Sequence, residues 1–370
     1  MTLELEEPVA AWPAPPSPPT DGPLTFEELQ LAGRNRGMPL EALRYDLTPT
    51  GLHYLLIHFD IPAVDPAGWR LRLDGLVARP LELNLDDLRA RPRRTIPVTL
   101  ECAGNGRARL TPRPLSNPWL LEAIGTAEWT GTPLAPLLEE AGVRTDAAEL
   151  VFTGADRGVQ GGVEHPYQRS LTLAEARRQE VLLVDEMNGA PLQPQHGFPL
   201  RLLVPGWYGM ASVKWLRRIE AVAEPFAGYQ QATAYHYKAD ADDPGEPVSR
   251  MRVRALMAPP GIPDYFTRQR LVEPGRLTIR GRAWSGRAPV RRVEVGVNGR
   301  WADATLDQPL GEWAWRGWSF AWDAEPGEHE LACRATDADG AIQPLASPWN
   351  YQGMGNNGAQ TVGVTVRAPS

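Results

Sequence analysis

The sequence predicts an α+β protein of two domains: a mixed α/β domain over residues 25–240, then an all-β, immunoglobulin-like sandwich over 248–370. Three observations carry this. At 370 residues the chain is long enough for about two domains, each with a core of its own. Strand-like and short helical patterns alternate up to about Glu224, as in mixed α+β folds. Beyond Met251 short apolar-alternating runs are divided by Gly and Pro turns, as in β-sandwiches.

The elements follow in chain order. Residues 1–24 hold Pro8, Pro13, Pro15, Pro16, Pro18, Pro19 and Pro23 with almost no periodicity, which predicts an extended tail with no assigned function. In the first domain Trp69 to Val77, Ile96 to Cys102, Leu150 to Thr153 and Leu200 to Val204 are expected strands. Leu85 to Arg89, Leu134 to Ala141 and Leu173 to Arg178 are expected helices. Lys238 to Pro247, rich in Asp, Pro and Gly, has the composition of a linker. The second domain is predicted from strands at Arg276 to Trp284, Val290 to Val297, Trp313 to Trp322 and Glu328 to Thr336. Its turns fall at Ser285-Gly286, Asn298-Gly299, Pro326-Gly327 and Asp339-Gly340.

Composition narrows the function. A net charge of -7 without a basic stripe argues against a nucleic-acid partner. Apolar runs such as Leu200 to Pro205 are too short to span a bilayer, and the N-terminus lacks a charged segment followed by an apolar one. No membrane partner and a cytoplasmic location are the expectations. Two cysteines do not make a disulfide framework, and Cys333, sharing a strand face with Leu331 and Ala335, fits an ordinary core position.

Cys102 is the more informative cysteine. Ile96, Val98, Leu100 and Cys102 share one strand face, while Pro97, Thr99 and Glu101 point the other way. Gly104 and Gly106 then allow close approach of the main chain to a ligand, and Arg107 brings a permanent cation. Two readings fit these residues: a small buried core thiol, or a thiolate presented to a soft metal.

In context, Cys102-Ala103-Gly104-Asn105-Gly106-Arg107 resembles the cysteine loop of the sulfite oxidase family of molybdenum enzymes. Other segments agree in the same order: Ala123 to Trp129, Glu186-Met187-Asn188-Gly189, His196 to Arg201, Pro205-Gly206, Val213 to Leu216, Ala283 to Gly286, and Trp313 to Arg316. The likeness spans about residues 45 to 365, and several spaced motifs in one order are far more specific than one glycine-rich pattern.

The resemblance implies a molybdopterin-binding catalytic domain of sulfite oxidase type, without a haem domain, followed by the immunoglobulin-like domain acting in dimerisation. It makes Cys102 the protein ligand to molybdenum, where a soft thiolate completes a sulfur-rich sphere. It places molybdopterin and its phosphate against Tyr54, Leu55, Leu56, His58, Asp156, His196, Arg201, Ser212, Val213 and Lys214. Arg201 and Lys214 can neutralise a phosphate, the histidines can donate to it, and Asp156 can accept from pterin N–H groups.

On the substrate side it implies Arg107, Trp119 and Tyr237 as the catalytic set around a small anion, sulfite, which is oxidised to sulfate by oxo transfer. Electrons then pass to an external acceptor, a cytochrome or flavoprotein or dioxygen. The chain departs from the family pattern at Leu56-Ile57-His58, where sulfite-oxidising members carry Arg-Asn-His, and after Trp349-Asn350, where it has Gln352 and Thr361 in place of further arginines. Two alternatives follow: an oxo-transfer enzyme or reductase with a less charged substrate, and a metal-free binding protein. A homodimer is expected, with Trp313, Trp315, Trp318 and Trp322 divided between interface and sandwich core.

Overall fold

In the computed structural model, residues 18–368 are described. Pro8, Pro13, Pro15 and Pro16 lie outside them. The part of the tail inside runs along Arg113: Thr20 exchanges backbone hydrogen bonds with it (3.0 and 2.8 Å), and its guanidinium donates to the carbonyls of Gly22 and Pro23.

The first domain is built on two sheets. One orders the strands Leu81–Leu83, Leu71–Gly75, Leu216–Val222, Glu149–Gln160 and Val163–Thr172, with only the Leu71–Gly75 and Leu216–Val222 pair parallel. The other orders Arg94–Glu101, Ile124–Pro133, Leu182–Met187 and Ala190–Pro191, and Arg201–Leu203 also joins Leu182–Met187. Helices Leu85–Arg89 and Leu134–Ala141 pack on them at the predicted places. The first is entered through a capping box between Asn84 and Asp87, the second leaves through Gly142 in the left-handed region. A further helix, Phe26–Arg34, was not among the expected elements. It opens on a reciprocal capping box between Thr25 and Glu28.

The segment 238–247 is a short, hydrogen-bonded connection. His236–Tyr237 pairs antiparallel with Glu246–Pro247, and the Asp243 carboxylate caps the connecting loop by accepting from the Ala239 and Gly245 N–H groups (2.7 and 2.9 Å).

The C-terminal domain is all β. A sheet of Arg254–Ala258, Gly275–Trp284, Arg316–Ala324 and Thr305–Leu306 faces one of six strands from Ile262–Pro263 to Arg300–Asp303. Trp318, Val293, Val295, Leu331 and Cys333 fill the space between them, so Cys333 is core as expected. Trp318 and Trp322 belong to that core. Trp315 instead faces the first domain, its Nε1 donating to the Asp46 carbonyl (2.7 Å), and Trp313 lies under the Arg178 guanidinium.

The domains meet at the face of Arg94–Glu101 opposite Cys102. Thr99 accepts from the Trp315 N–H (2.7 Å). Glu101, 1 % exposed, accepts from Arg254 (2.7 Å), Asn105 (3.0 Å) and Trp284 Nε1 (2.9 Å). Both faces of this strand are therefore buried, one inside its own domain and one against the other.

Candidate active site

The strand Arg94–Glu101 delivers Cys102 to a cavity that it lines together with Tyr54, His196, Arg201 and Lys214. The Cys102 N–H donates to the Ala123 carbonyl (2.9 Å), and its carbonyl accepts from Asn105 (2.9 Å), so the loop turns at once. Gly104 is required there. A Cβ would meet the Arg107 guanidinium at 2.6 Å, so the missing side chain lets that group fold back toward the thiol. Burial raises the Cys102 pKa, while Arg107 and the Trp119 N–H act to lower it. Both groups thus favour the thiolate beside them.

A basic wall faces the thiol. Arg201, 6 % exposed, donates to the carbonyls of His196 and Ser212 (both 3.1 Å) and leaves its Nε unpartnered. Burial pushes its pKa down to about 10. Lys214 donates to the carbonyls of Leu56 (2.7 Å) and Gln195 (3.1 Å), and burial followed by repulsion from Arg201 pushes it down to about 7. His196, 5.8 Å from His53 between ring centroids, falls to about 3 through burial and then its basic neighbours. Gly197, at φ +107°, turns the chain between His196 and Arg201. Burial raises Asp156 to about 6 against the pull of Lys214, and its Oδ1 has no partner. A wall this rich in mutually repelling bases, with one carboxylate, is built for an anion.

Of the sequence-predicted cofactor residues, Tyr54, Leu55, Leu56, His58, Asp156, His196, Arg201, Ser212 and Lys214 line this cavity together with Cys102. Val213 does not: it is core, and its carbonyl accepts from Leu202 (2.8 Å). Arg107 and Trp119 stand beside Cys102 rather than in the open cavity. Arg107 is held by the Gln352 carbonyl (3.1 Å), the Asn117 carbonyl (3.2 Å) and the Met354 sulfur (3.5 Å).

Tyr237 lies under the Arg252 guanidinium, 4.3 Å from its ring centroid, outside the cavity lining. Tyr235 lines the cavity in its place. A backbone φ of +59° at Tyr235 turns it inward. Gln352, from the second domain, clamps that turn by accepting from the His236 N–H and donating to the Thr233 carbonyl (both 3.0 Å). His53, Tyr167, Gln195, Met210 and Trp215 also line the cavity without having been singled out. His53 could have been found as the neighbour of Tyr54; Tyr235 had no local signal, because a positive φ at tyrosine is not predictable from residue type.

A family model described as oxidoreductase molybdopterin binding domain matches residues 58–230, and one described as Mo-co oxidoreductase dimerisation domain matches 248–367. The chain belongs to the sulfite oxidase family of molybdopterin-dependent oxidoreductases. Within this family it is 37% identical to sulfite oxidase of Gallus gallus over 330 residues, 83% of this chain and 71% of the relative. It is 34% identical to the mitochondrial sulfite oxidase of Homo sapiens over 393 residues, 98% of this chain and 70% of the relative. A nitrate reductase of Solanum lycopersicum is 31% identical over 90% of this chain, which spans 40% of that longer protein. Among solved structures the sulfane dehydrogenase SoxCD of Paracoccus pantotrophus superposes with a TM-score of 0.78 at 26% identity, covering 99% of this chain and 96% of that one.

Family membership makes this chain an oxidoreductase with a molybdenum–molybdopterin cofactor. The residues present fit that group. The unpartnered Arg201 Nε offers a buried donor to an anion and the unpartnered Asp156 Oδ1 a buried acceptor to an N–H group, and the bases of the wall outnumber the Asp156 carboxylate set against them. Among the described residues no helix is long and apolar enough to cross a membrane.

Proposed function

We propose that this chain oxidises sulfite to sulfate, passing two electrons to an external acceptor such as a cytochrome or dioxygen. The observation that carries the reading is the placement of Cys102 in a cavity with a basic wall, with the Arg107 charge acting on the thiol, in a chain similar to sulfite oxidases of chicken and human.

Cys102 would hold the metal as a thiolate, and Arg201, Lys214, His196 and Ser212 would hold the cofactor's phosphate, with Asp156 accepting from the pterin. The bound cofactor supplies two-electron oxygen-atom transfer chemistry. The chain's own groups do the rest. Arg107 supplies positive charge where an anionic substrate approaches, the Trp119 N–H adds a donor, and the buried walls exclude bulk water. Sulfite gains one oxygen, supplied overall by water, and releases two electrons and two protons.

A second reading, a less charged sulfur substrate, is favoured by one feature: Leu56 presents an alkyl side chain where a cation would strengthen dianion binding, its carbonyl being occupied by Lys214. Similarity to a sulfane dehydrogenase supports the same direction.

The domain limits 25–240 and 248–370, the immunoglobulin-like character of the second and a homodimer built through it belong to the same proposal. The dimerisation-domain match supports the dimer, and the exposed Tyr265 and Phe266 give that domain an apolar tip. Sedimentation at the mass of one chain would count against it. The substrate is tested by mixing oxidised holoenzyme with sulfite and following the visible absorption of the bound metal. Rapid bleaching with sulfate formed in equal amount is expected; no change on any timescale of turnover overturns the sulfite reading.

A further inference from the structure

Behind the cavity stands a charge that the site described above does not use. Arg169 sits in the strand Val163–Thr172 and is 2 % exposed. Its guanidinium donates to the Gln230 carbonyl, and its Nε has no partner. Among the described residues the carboxylate whose charge reaches it is Glu149, and that group is committed to the Phe226 N–H (2.9 Å). Burying a cation with so little compensation is costly, so something on its far side has to offset the charge.

The far side is the cavity. The Arg169 guanidinium carbon lies 5.5 Å from the ring centroid of Tyr235, and Tyr235 and Tyr167 are both cavity wall. The Tyr167 side chain and the Tyr235 main chain are both tied down. Tyr167 donates its hydroxyl hydrogen to the Met210 carbonyl (2.8 Å), and the Tyr235 carbonyl accepts from Val248 (2.8 Å) while Gln352 clamps the residues on either side. A cation against the ring polarises the phenol and makes its hydroxyl a stronger donor to an anion in the cavity.

We propose that Arg169 is a specificity-determining residue, charging the cavity wall through Tyr235 and standing in for the cation that Leu56 does not provide. The inference rests on the reading of the substrate as a small oxyanion. It predicts that this chain binds such an anion through the Tyr235 phenol and the cation behind it.

The test uses the molybdenum-loaded enzyme and sulfate as the probe, titrated into the oxidised protein and followed by its visible absorption, alongside steady-state sulfite kinetics. Arg169→Gln is expected to raise the sulfate Kd and the sulfite KM about tenfold, the order expected for one unit charge acting across a buried ring. The expected change in kcat is much smaller, and Arg169→Lys should recover most of the loss. A Kd within twofold of wild type at equal molybdenum content would overturn the proposal, as would absence of sulfate binding by the wild-type enzyme. Should Arg169→Gln fail to fold, Tyr235→Phe keeps the cation packed and removes the hydroxyl. Weaker sulfate binding is then expected, and an unchanged Kd again overturns the idea. A wild-type enzyme that never turns over sulfite, but binds sulfate in an Arg169-dependent way, would sink the sulfite reading and support this one.

Discussion

Replacing Glu101 by Gln removes a charge from the point where the two domains and the Cys102 loop meet. The Glu101 side chain is 2% exposed and its partner Arg254 1%, at 2.7 Å. Arg254 already leaves Nε and Nη2 without partners, so its remaining compensation is this carboxylate and the Asn356 carbonyl (2.9 Å). Neutralising one member of such a buried pair costs about 3–5 kcal/mol. The amide also turns an NH₂ toward groups that are all donors, Arg254, Asn105 and the Trp284 N–H. At about 2–4 °C per kcal/mol for domains of 150–250 residues, the melting temperature should fall by roughly 10 °C. Since Glu101 belongs to one domain and Arg254 and Trp284 to the other, the loss should fall on docking. Calorimetry of the cofactor-free protein should then resolve two transitions in Glu101→Gln. The double variant Glu101→Leu/Arg254→Met, with neither charge left, should recover much of the stability. A single transition within about 2 °C of wild type, less than about 1 kcal/mol, would refute the reasoning.

Other consequences follow from the cavity. Burial holds His53 and His58 at about 4 and His196 at about 3, so below their ordinary value near 6.5 the unfolded chain binds protons that the folded chain refuses. Asp156, raised to about 6, binds a proton in the folded state and offsets one of these three. Between pH 6 and 4 the cofactor-free protein should therefore lose about 2.7 kcal/mol per pH unit, which urea unfolding at two pH values measures; a flat midpoint contradicts it. Leu56→Arg places a cation at the cavity wall and should lower the sulfite KM about tenfold, as a charge-assisted hydrogen bond would. Steady-state kinetics showing an unchanged or higher KM would argue against it. Gln352→Ala frees both ends of the Tyr235 turn and should reduce kcat/KM about tenfold at unchanged molybdenum content, the loss of two hydrogen bonds. Equal activity would show that the clamp is dispensable.

Much of the fold could be read from residue patterns, and the exceptions have physical causes. Leu134–Ala141 begins and ends where expected, because its apolar spacing is helical and Pro133 and Gly142 bracket it. Phe26–Arg34 lacks a continuous apolar stripe, although its Thr25-to-Glu28 capping box was a usable signal. Alternation along Ile96 to Cys102 gave the two faces correctly but could not show that Thr99 and Glu101 are covered by a second domain. The cofactor residues were legible only as an ordered set of motifs. Tyr235 depends on a backbone angle that tyrosine rarely adopts. Arg169 did leave a trace: it alternates with Tyr167 and Leu171 on a buried face, where a lone arginine calls for a reason.

The central claim is that Cys102 ties the protein to its metal. X-ray absorption of molybdenum in the wild-type enzyme and in Cys102→Ser, each isolated from a host that makes molybdopterin, tests it most directly. The account predicts one fewer sulfur neighbour in the variant, with the cofactor still held by the basic wall of Arg201, Lys214 and His196. An identical sulfur shell in both proteins would contradict it.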